Sequence, residues 1–144
     1  MRYFVHIGYK GFNYHGWQRQ PNVITIQEIM EVTLGKALRQ KVTCIGCGRT
    51  DAKVNASQFV FHFDSENQWD FDLKFRINKM LPDDIAVFDI IPMKEFFHAQ
   101  FDATLREYTY LIHTQKSPLI SEISAYYSEN FDIPVMQEAT KLLT

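Results

Sequence analysis

Arg49 and Asp51 are the residues whose types and spacing best suit catalysis, and they lie in a glycine-led stretch, 46–56, between two strand-like runs. If the chain is extended there, side chains two residues apart point the same way, so Arg49 and Asp51 lie side by side. A nearby guanidinium keeps a carboxylate ionised at neutral pH. A buried, paired carboxylate on a loop suits a nucleophile or a base. The same spacing also fits an ordinary turn that carries an ion pair.

Strand-like and helix-like segments alternate along the first ninety residues. Apolar residues alternate in the predicted strands and recur at helical spacing in the predicted helices, the first of which opens with a capping box at Thr25 and Glu28. The predicted elements are a strand at 3–9, a helix at 26–39, strands at 42–45 and 59–63, a helix at 73–81 and a strand at 85–90. This β-α-β-β-α-β order predicts an α+β, ferredoxin-like fold with an antiparallel sheet and both helices on one face.

An extra strand is predicted after this repeat, at 106–113, where apolar and polar residues alternate again. Arg106, Tyr108 and Tyr110 would share one face of it. That face suits either an RNA-facing surface or a half-exposed strand with aromatic cross-strand partners. From Pro134 to Leu143 an apolar-periodic helix begins, so we expect a first domain at 1–133 and, at 134–144, a helix leading into a second domain.

The loop after the first strand, 10–21, is punctuated by glycine and rich in aromatic and basic residues. Exposed aromatic rings interleaved with basic and amide side chains offer stacking surfaces and hydrogen-bond donors to RNA. An aromatic loop folded onto the core is the alternative. The candidate RNA-binding residues of this loop are Tyr14, His15, Trp17, Gln18 and Arg19.

Composition is that of a soluble protein of 144 residues with a net charge of −2. The longest apolar stretch, 85–93, is interrupted by Asp89 and Pro92, and no signal peptide opens the chain, so neither membrane insertion nor secretion is expected. Lys and Arg exceed acidic residues by eight to three in residues 1–53, the part that carries Asp51, although a solvated basic face would look the same.

Neither the cysteines nor the histidines predict a metal or redox centre. Cys44 and Cys47 are three residues apart, so on a strand they face opposite sides, and two buried thiols in a reducing cytoplasm are expected. The five histidines show no ligand spacing. No metal site is therefore predicted.

The sequence around Asp51 resembles a known motif. Residues 48–52, Gly-Arg-Thr-Asp-Ala, followed by Val54 and Ala56, resemble the active-site signature G-R-T-D-A-G-V-H-A of the TruA family of tRNA pseudouridine synthases. Further resemblance is found at Gly16-Trp17-Gln18-x-Gln20, at 25–28, at 78–85 and in the Phe-His-Ala and Arg-x-Tyr-x-Tyr patterns of 97–110. It extends over nearly the whole chain and corresponds to the amino-terminal half of such proteins.

The resemblance implies an enzyme that isomerises uridine to pseudouridine in the anticodon stem-loop of tRNA, without a cofactor. Asp51 would be the nucleophile or base, Arg49 its partner, and Tyr108 the ring that packs against the target base. Lys53, Asn55 and Arg106 join the loop residues as expected RNA contacts. The resemblance also implies a cytoplasmic homodimer, a second half that completes the cleft, and an inactive fragment without it.

Three positions depart from the family pattern: Lys53 replaces glycine, Asn55 replaces histidine and Gln100 replaces arginine. A glycine at position 53 would suit a positive φ, which lysine adopts only at a cost. The alternative function is therefore an RNA-binding paralogue of the same fold, with lost or altered isomerase activity.

Overall fold

The computed structural model describes the backbone of residues 1–143 and the side chains of residues 1–142. The chain divides into two compact units, one from Met1 to Arg106 and a second from Glu107 onward. In chain order the first unit contains β1 (Arg2–Tyr9), α1 (Ile26–Leu38), β2 (Ile45–Gly46), β3 (Ala56–Asp64), α2 (Leu73–Met80) and β4 (Ile85–Met93).

The four strands of the first unit form one sheet in the order β2-β3-β1-β4, and every neighbouring pair is antiparallel. This confirms the predicted α+β, ferredoxin-like β-α-β-β-α-β fold. The long strands β1 and β3 are central, and β3 leads directly out of the loop that carries Asp51.

The core lies between the sheet and the two helices. Cross-strand partners Val5 and Phe61 are fully buried, as are Met30 of α1 and Ile77 of α2. Because side chains alternate along a strand, the buried apolar side chains of β1 and β3 belong to one sheet face, and both helices pack against it. His62 of β3 is also buried but belongs to the opposite face. Burial of apolar side chains at about 25 cal/mol per Å² is the main stabilising contribution of this layer.

Local signals fix the helix ends. The Thr25 side chain accepts a hydrogen bond from the Glu28 N–H at 3.4 Å, and Asp72 accepts one from the Phe75 N–H at 2.9 Å. Helix α1 ends at Arg39, which adopts a left-handed conformation with φ of 55°. The predicted helix positions are thus confirmed to within a residue.

Strand β2 is shorter than the predicted strand at 42–45, because α1 takes the main-chain groups that a strand would use. The Cys44 N–H donates to the Glu31 carboxylate at 3.1 Å, and the Cys44 carbonyl accepts from the Gln27 amide at 2.9 Å. Only Ile45 and Gly46 then pair with β3. Cys44 is buried and Cys47 half-buried.

In the second unit, β5 (Ile112–His113) pairs in parallel with β6 (Ala125–Tyr126). Helix α3 (Ile133–Thr140) is capped by Asp132 and continues into a 3₁₀ turn at Lys141–Leu143. The predicted strand at 106–113 therefore shrinks to its last two residues. Tyr108 and Tyr110 are 62% and 86% exposed, and within the described residues no strand pairs with them. None of the helices described here has the length and hydrophobicity required to cross a membrane.

Candidate active site

The β2–β3 loop, 47–55, carries Arg49 and Asp51 and is fixed by the β1–α1 loop, 10–25. The Trp17 N–H donates to the Thr50 carbonyl at 3.1 Å, and the Lys53 N–H donates to the Tyr14 carbonyl at 3.1 Å. Asp51 thus lies between two main-chain attachment points, one just before it and one two residues after it. The Val54 N–H closes a turn onto the Asp51 carbonyl at 3.3 Å.

Two side chains reinforce this attachment. The Tyr9 hydroxyl lies 2.9 Å from Thr50 Oγ1 at the end of β1, and Asn55 Oδ1 accepts a hydrogen bond from the Gly11 N–H at 2.7 Å. Burial raises the pKa of Tyr9 to about 12, so the phenol keeps its proton at neutral pH and can donate it to Thr50. Asn55, at a position where the family motif has histidine, therefore joins the two loops.

Glycine allows the two loops to come this close. Gly16 has a φ of 81°, and a Cβ there would lie 2.2 Å from the Thr50 carbonyl oxygen. A Cβ on Gly11 would lie 2.0 Å from the Val54 carbonyl oxygen. Any side chain at either position would push the Asp51 loop away, because both obstacles are main-chain atoms.

Tyr14 and Trp17 do not present the stacking surface that the sequence predicted. They are 6% and 2% exposed, and the Trp17 ring packs at 4.4 Å from Phe59 and 5.4 Å from Phe61. The Tyr14 hydroxyl donates to Asp84. The prediction of RNA contact by these two rings is corrected accordingly: they hold the loop on the core, because burial of such large rings is strongly favourable.

The other candidates of this loop, His15, Gln18 and Arg19, are exposed. His15 and Arg19 line an open groove of about 760 Å³. The Arg19 guanidinium also pairs with Glu28 at 3.2 Å and Glu31 at 2.9 Å on α1. These pairs fix its position and offset part of its charge.

Arg49 and Asp51 are both exposed, and within the described residues no ion pair joins them. The predicted pairing of a buried carboxylate is therefore not formed. The hydroxyl of Thr50, which lies between them in the sequence, is hydrogen-bonded to Tyr9. The side chains of Arg49 and Asp51 extend into solvent, where the attraction between opposite charges is weak. The loop presents an accessible carboxylate, with an accessible guanidinium two residues away.

Arg106 closes the other end of the site. Its guanidinium donates to the Cys47 carbonyl from Nε at 3.0 Å and from Nη2 at 2.7 Å, and Nη2 also reaches the Gln100 carbonyl at 2.9 Å. It packs beside Gly48, where a Cβ would lie 3.3 Å from Nε. Its Nε and Nη2 are therefore used by main-chain carbonyls, one of them at the start of the Asp51 loop, and the predicted contact of Arg106 with RNA stays a prediction.

Lys53 has a φ of 66°, the positive φ that the family's glycine at this position suggested. Its ammonium lies 5.8 Å from the centre of the Phe12 ring, which is 49% exposed. Sequence reasoning missed Phe12, Tyr9 and Thr50 as site residues. Their roles depend on contacts between residues some forty positions apart, which no local spacing indicates.

Tyr108 belongs to the second unit, where its ring is 62% exposed. Its role beside a target base stays a prediction. In the part of the chain that the structure describes, no group of three or more His, Cys, Asp or Glu side chains is arranged to hold a metal ion.

Comparison with known proteins points in one direction, although no family model matches the chain. It is 43% identical over 145 residues to "tRNA pseudouridine synthase A" of Parabacteroides distasonis, covering 99% of this chain and 57% of that protein. Proteins of the same name from Bacteroides thetaiotaomicron and Colwellia psychrerythraea are 42% and 40% identical, over 99% of this chain and 53% and 56% of their own lengths. The chain thus spans about half the length of the curated relatives it matches. The predicted resemblance to the TruA family of tRNA pseudouridine synthases is confirmed: nearly the whole chain is homologous to part of proteins that carry this name.

Proposed function

We propose that the complete protein converts uridine to pseudouridine in tRNA, with Asp51 as the reacting carboxylate. The observation that carries this proposal is the placement of Asp51: an accessible carboxylate on a loop attached on both sides, through Thr50 and Lys53, to the β1–α1 loop. Such attachment fixes the position of a catalytic group before substrate binds. The names of the relatives support tRNA as the substrate.

The reaction is an isomerisation and needs no oxidant. The bond from N1 of uracil to C1′ of ribose breaks, the base rotates, C5 bonds to C1′, the hydrogen at C5 leaves as a proton, and N1 takes up a proton. Asp51 either attacks C1′ and is displaced when C5 bonds there, or removes a ribose proton to labilise the base and returns it afterwards. Either route requires the nucleotide to leave its stack, so that the carboxylate can reach the sugar.

Other parts of the chain would assist Asp51. The exposed Arg49 would turn to the carboxylate when bound RNA excludes water, since the attraction between the two charges grows as solvent leaves. Tyr108 would stack on the target base. The resemblance further supports an anticodon stem-loop target, a homodimer and a cytoplasmic location, and the rest of the cleft would come from the other half of the complete protein.

The test follows tritium release from tRNA labelled at C5 of uridine, using the complete protein. Asp51→Asn preserves the shape of the loop and should abolish release while tRNA binding persists. Asp83→Asn removes the same charge from an exposed position outside the loop and should release tritium at the wild-type rate. Arg49→Ala should be slower but active, and Tyr108→Phe should keep more activity than Tyr108→Ala. Normal binding together with wild-type release by Asp51→Asn would show that another residue reacts.

A second function, an RNA-binding paralogue without isomerase activity, is favoured by the replacements at Lys53, Asn55 and Gln100. Two of these positions are nevertheless compatible with an intact loop: Lys53 adopts the positive φ, and Asn55 joins the loop to Gly11. The same assay separates the two functions, because the paralogue would bind unmodified tRNA and release no tritium.

A further inference from the structure

We propose that Phe12 and Lys53 together bind one unpaired nucleotide of the RNA next to the reacting uridine. The Phe12 ring would stack on the base, and the Lys53 ammonium would pair with a phosphate. We call this pair the Phe12–Lys53 clamp. It rests on the proposed function only in taking its ligand to be the RNA substrate of the Asp51 loop.

The backbone of Lys53 is the first observation. Among the described residues, the three non-glycine residues with positive φ are Asn22, Arg39 and Lys53. Asparagine tolerates this conformation, and Arg39 occupies a helix C-cap where it is usual. Neither explanation applies to Lys53. Its conformation is held by a hydrogen bond from its own N–H to the Tyr14 carbonyl and by one from the Val54 N–H to the Asp51 carbonyl. A residue in a strained conformation beside a candidate active site suggests a functional use.

The exposure of Phe12 is the second observation. Its ring is 49% exposed, whereas the neighbouring rings of Tyr14 and Trp17 are buried. Close contact between Gly11 and the Val54 carbonyl places Phe12 against the Asp51 loop. An exposed ring held in position offers a surface on which any base can stack, an interaction that is tolerant of sequence.

The charge of Lys53 is the third observation. Within the described chain, no carboxylate lies within ion-pair distance of its ammonium, unlike the guanidinium groups of Arg2 and Arg19. Its ammonium lies 5.8 Å from the centre of the Phe12 ring, where the electrons of the ring face attract a cation. The charge is therefore available to a phosphate, and the position is two residues from Asp51.

The test measures binding of the complete protein to fluorescently labelled, unmodified tRNA over a range of salt concentrations. Lys53→Met should weaken binding several-fold and lower the slope of log K against log salt by about one, the change expected for one lost phosphate contact. Phe12→Leu should weaken binding about fivefold or more and leave the slope unchanged, because stacking involves no counterion release. Phe12→Tyr keeps a ring and should bind tRNA with wild-type affinity. Comparison of the Tyr and Leu variants separates loss of stacking from misfolding.

Lys79 and Phe75 on α2 provide a matched control. The Lys79 ammonium lies 5.6 Å from the centre of the Phe75 ring, and that ring is 62% exposed. Lys79→Met and Phe75→Leu should leave both affinity and salt slope unchanged. If Lys53→Met kept the wild-type slope, or if the control pair changed binding as strongly, the clamp would be wrong.

Pseudouridine formation is measured on the same wild-type preparation, so the two proposals fail separately. Product formed with affinity unaffected by Lys53→Met and Phe12→Leu would refute the clamp alone. Weakened RNA binding by these variants, with no product from the wild type, would refute the isomerase and leave the clamp in place.

Discussion

The hydroxyl of Tyr9 lies 2.9 Å from Thr50 Oγ1, so the last residue of β1 is bonded to the residue that precedes Asp51. Tyr9→Phe removes this bond and should reduce the free energy of unfolding by about 0.5–1.5 kcal/mol. It should also slow isomerisation, because Thr50 would hold the loop less firmly. Urea unfolding and tritium release measure the two effects.

Tyr3→Phe is the matched control, since it removes another hydroxyl from β1, one for which the described residues offer no hydrogen bond. Its stability should match that of the wild type. Equal stability of all three proteins would show that the bond between Tyr9 and Thr50 contributes nothing in solution.

Replacement of Lys53 should separate backbone strain from charge. Lys53→Gly and Lys53→Ala both remove the ammonium, but only glycine relieves the positive φ of 66°. We expect the glycine variant to be about 1 kcal/mol more stable than the alanine variant, as measured by urea unfolding. Arg39→Gly, at the other basic residue with a positive φ, should gain stability without changing RNA affinity. A glycine variant no more stable than the alanine variant would contradict the strain.

Arg106 should control how firmly the start of the Asp51 loop is held. Arg106→Ala removes three hydrogen bonds to the carbonyls of Cys47 and Gln100, so the main-chain N–H groups of 47–50 should exchange with deuterium several times faster. Arg106→Lys keeps the charge but not the planar fork, and should restore little protection. Unchanged exchange in both variants would mean that other contacts hold the loop.

His62 should make stability sensitive to mild acid. Burial, reinforced by the nearby Arg2, lowers the pKa of His62 to about 4, while its Nδ1 accepts a hydrogen bond from the Ala99 N–H at 3.1 Å. In the unfolded state His62 therefore takes up a proton near pH 6.5, whereas in the folded state it does so only near pH 4. The free energy of unfolding should fall by up to about 3 kcal/mol as the pH is lowered from 6.5 to 4.

The measurement is the pH dependence of urea unfolding for the wild type and for His62→Phe. The substitution should flatten the curve over that interval, whatever it does to stability at pH 7. Parallel curves for the two proteins would exclude His62 as the source of the acid sensitivity.

The order of elements could be predicted because it follows from local patterns. The alternation of apolar and polar residues predicted β1, β3 and β4, and Thr25 and Glu28 indicated the start of α1. The length of β2 could not be predicted, since Gln27 and Glu31 on α1 take the main-chain groups of Cys44.

The contents of the site divide in the same way. Residue types and the motif pointed to Asp51 as the candidate reacting group, which stays a prediction, and to the positive φ that Lys53 adopts. Two features could not be predicted in this way: Trp17 is buried, and the Arg106 guanidinium donates a hydrogen bond to the Cys47 carbonyl. Both depend on how distant segments pack, which local sequence does not encode.

The separation of 41 residues between Tyr9 and Thr50 bears on the order in which the protein folds. The hydrogen bonds of helix α1 join residues close in sequence, whereas the surroundings of Asp51 arise only after β1 and β3 have paired and the two loops have met. A nascent chain that has not yet completed β3 therefore carries the carboxylate but no site. Any partial opening that parts β1 from β3 should also disperse the surroundings of Asp51, so that under the proposed function the loss of activity would report directly on the integrity of the central strand pair.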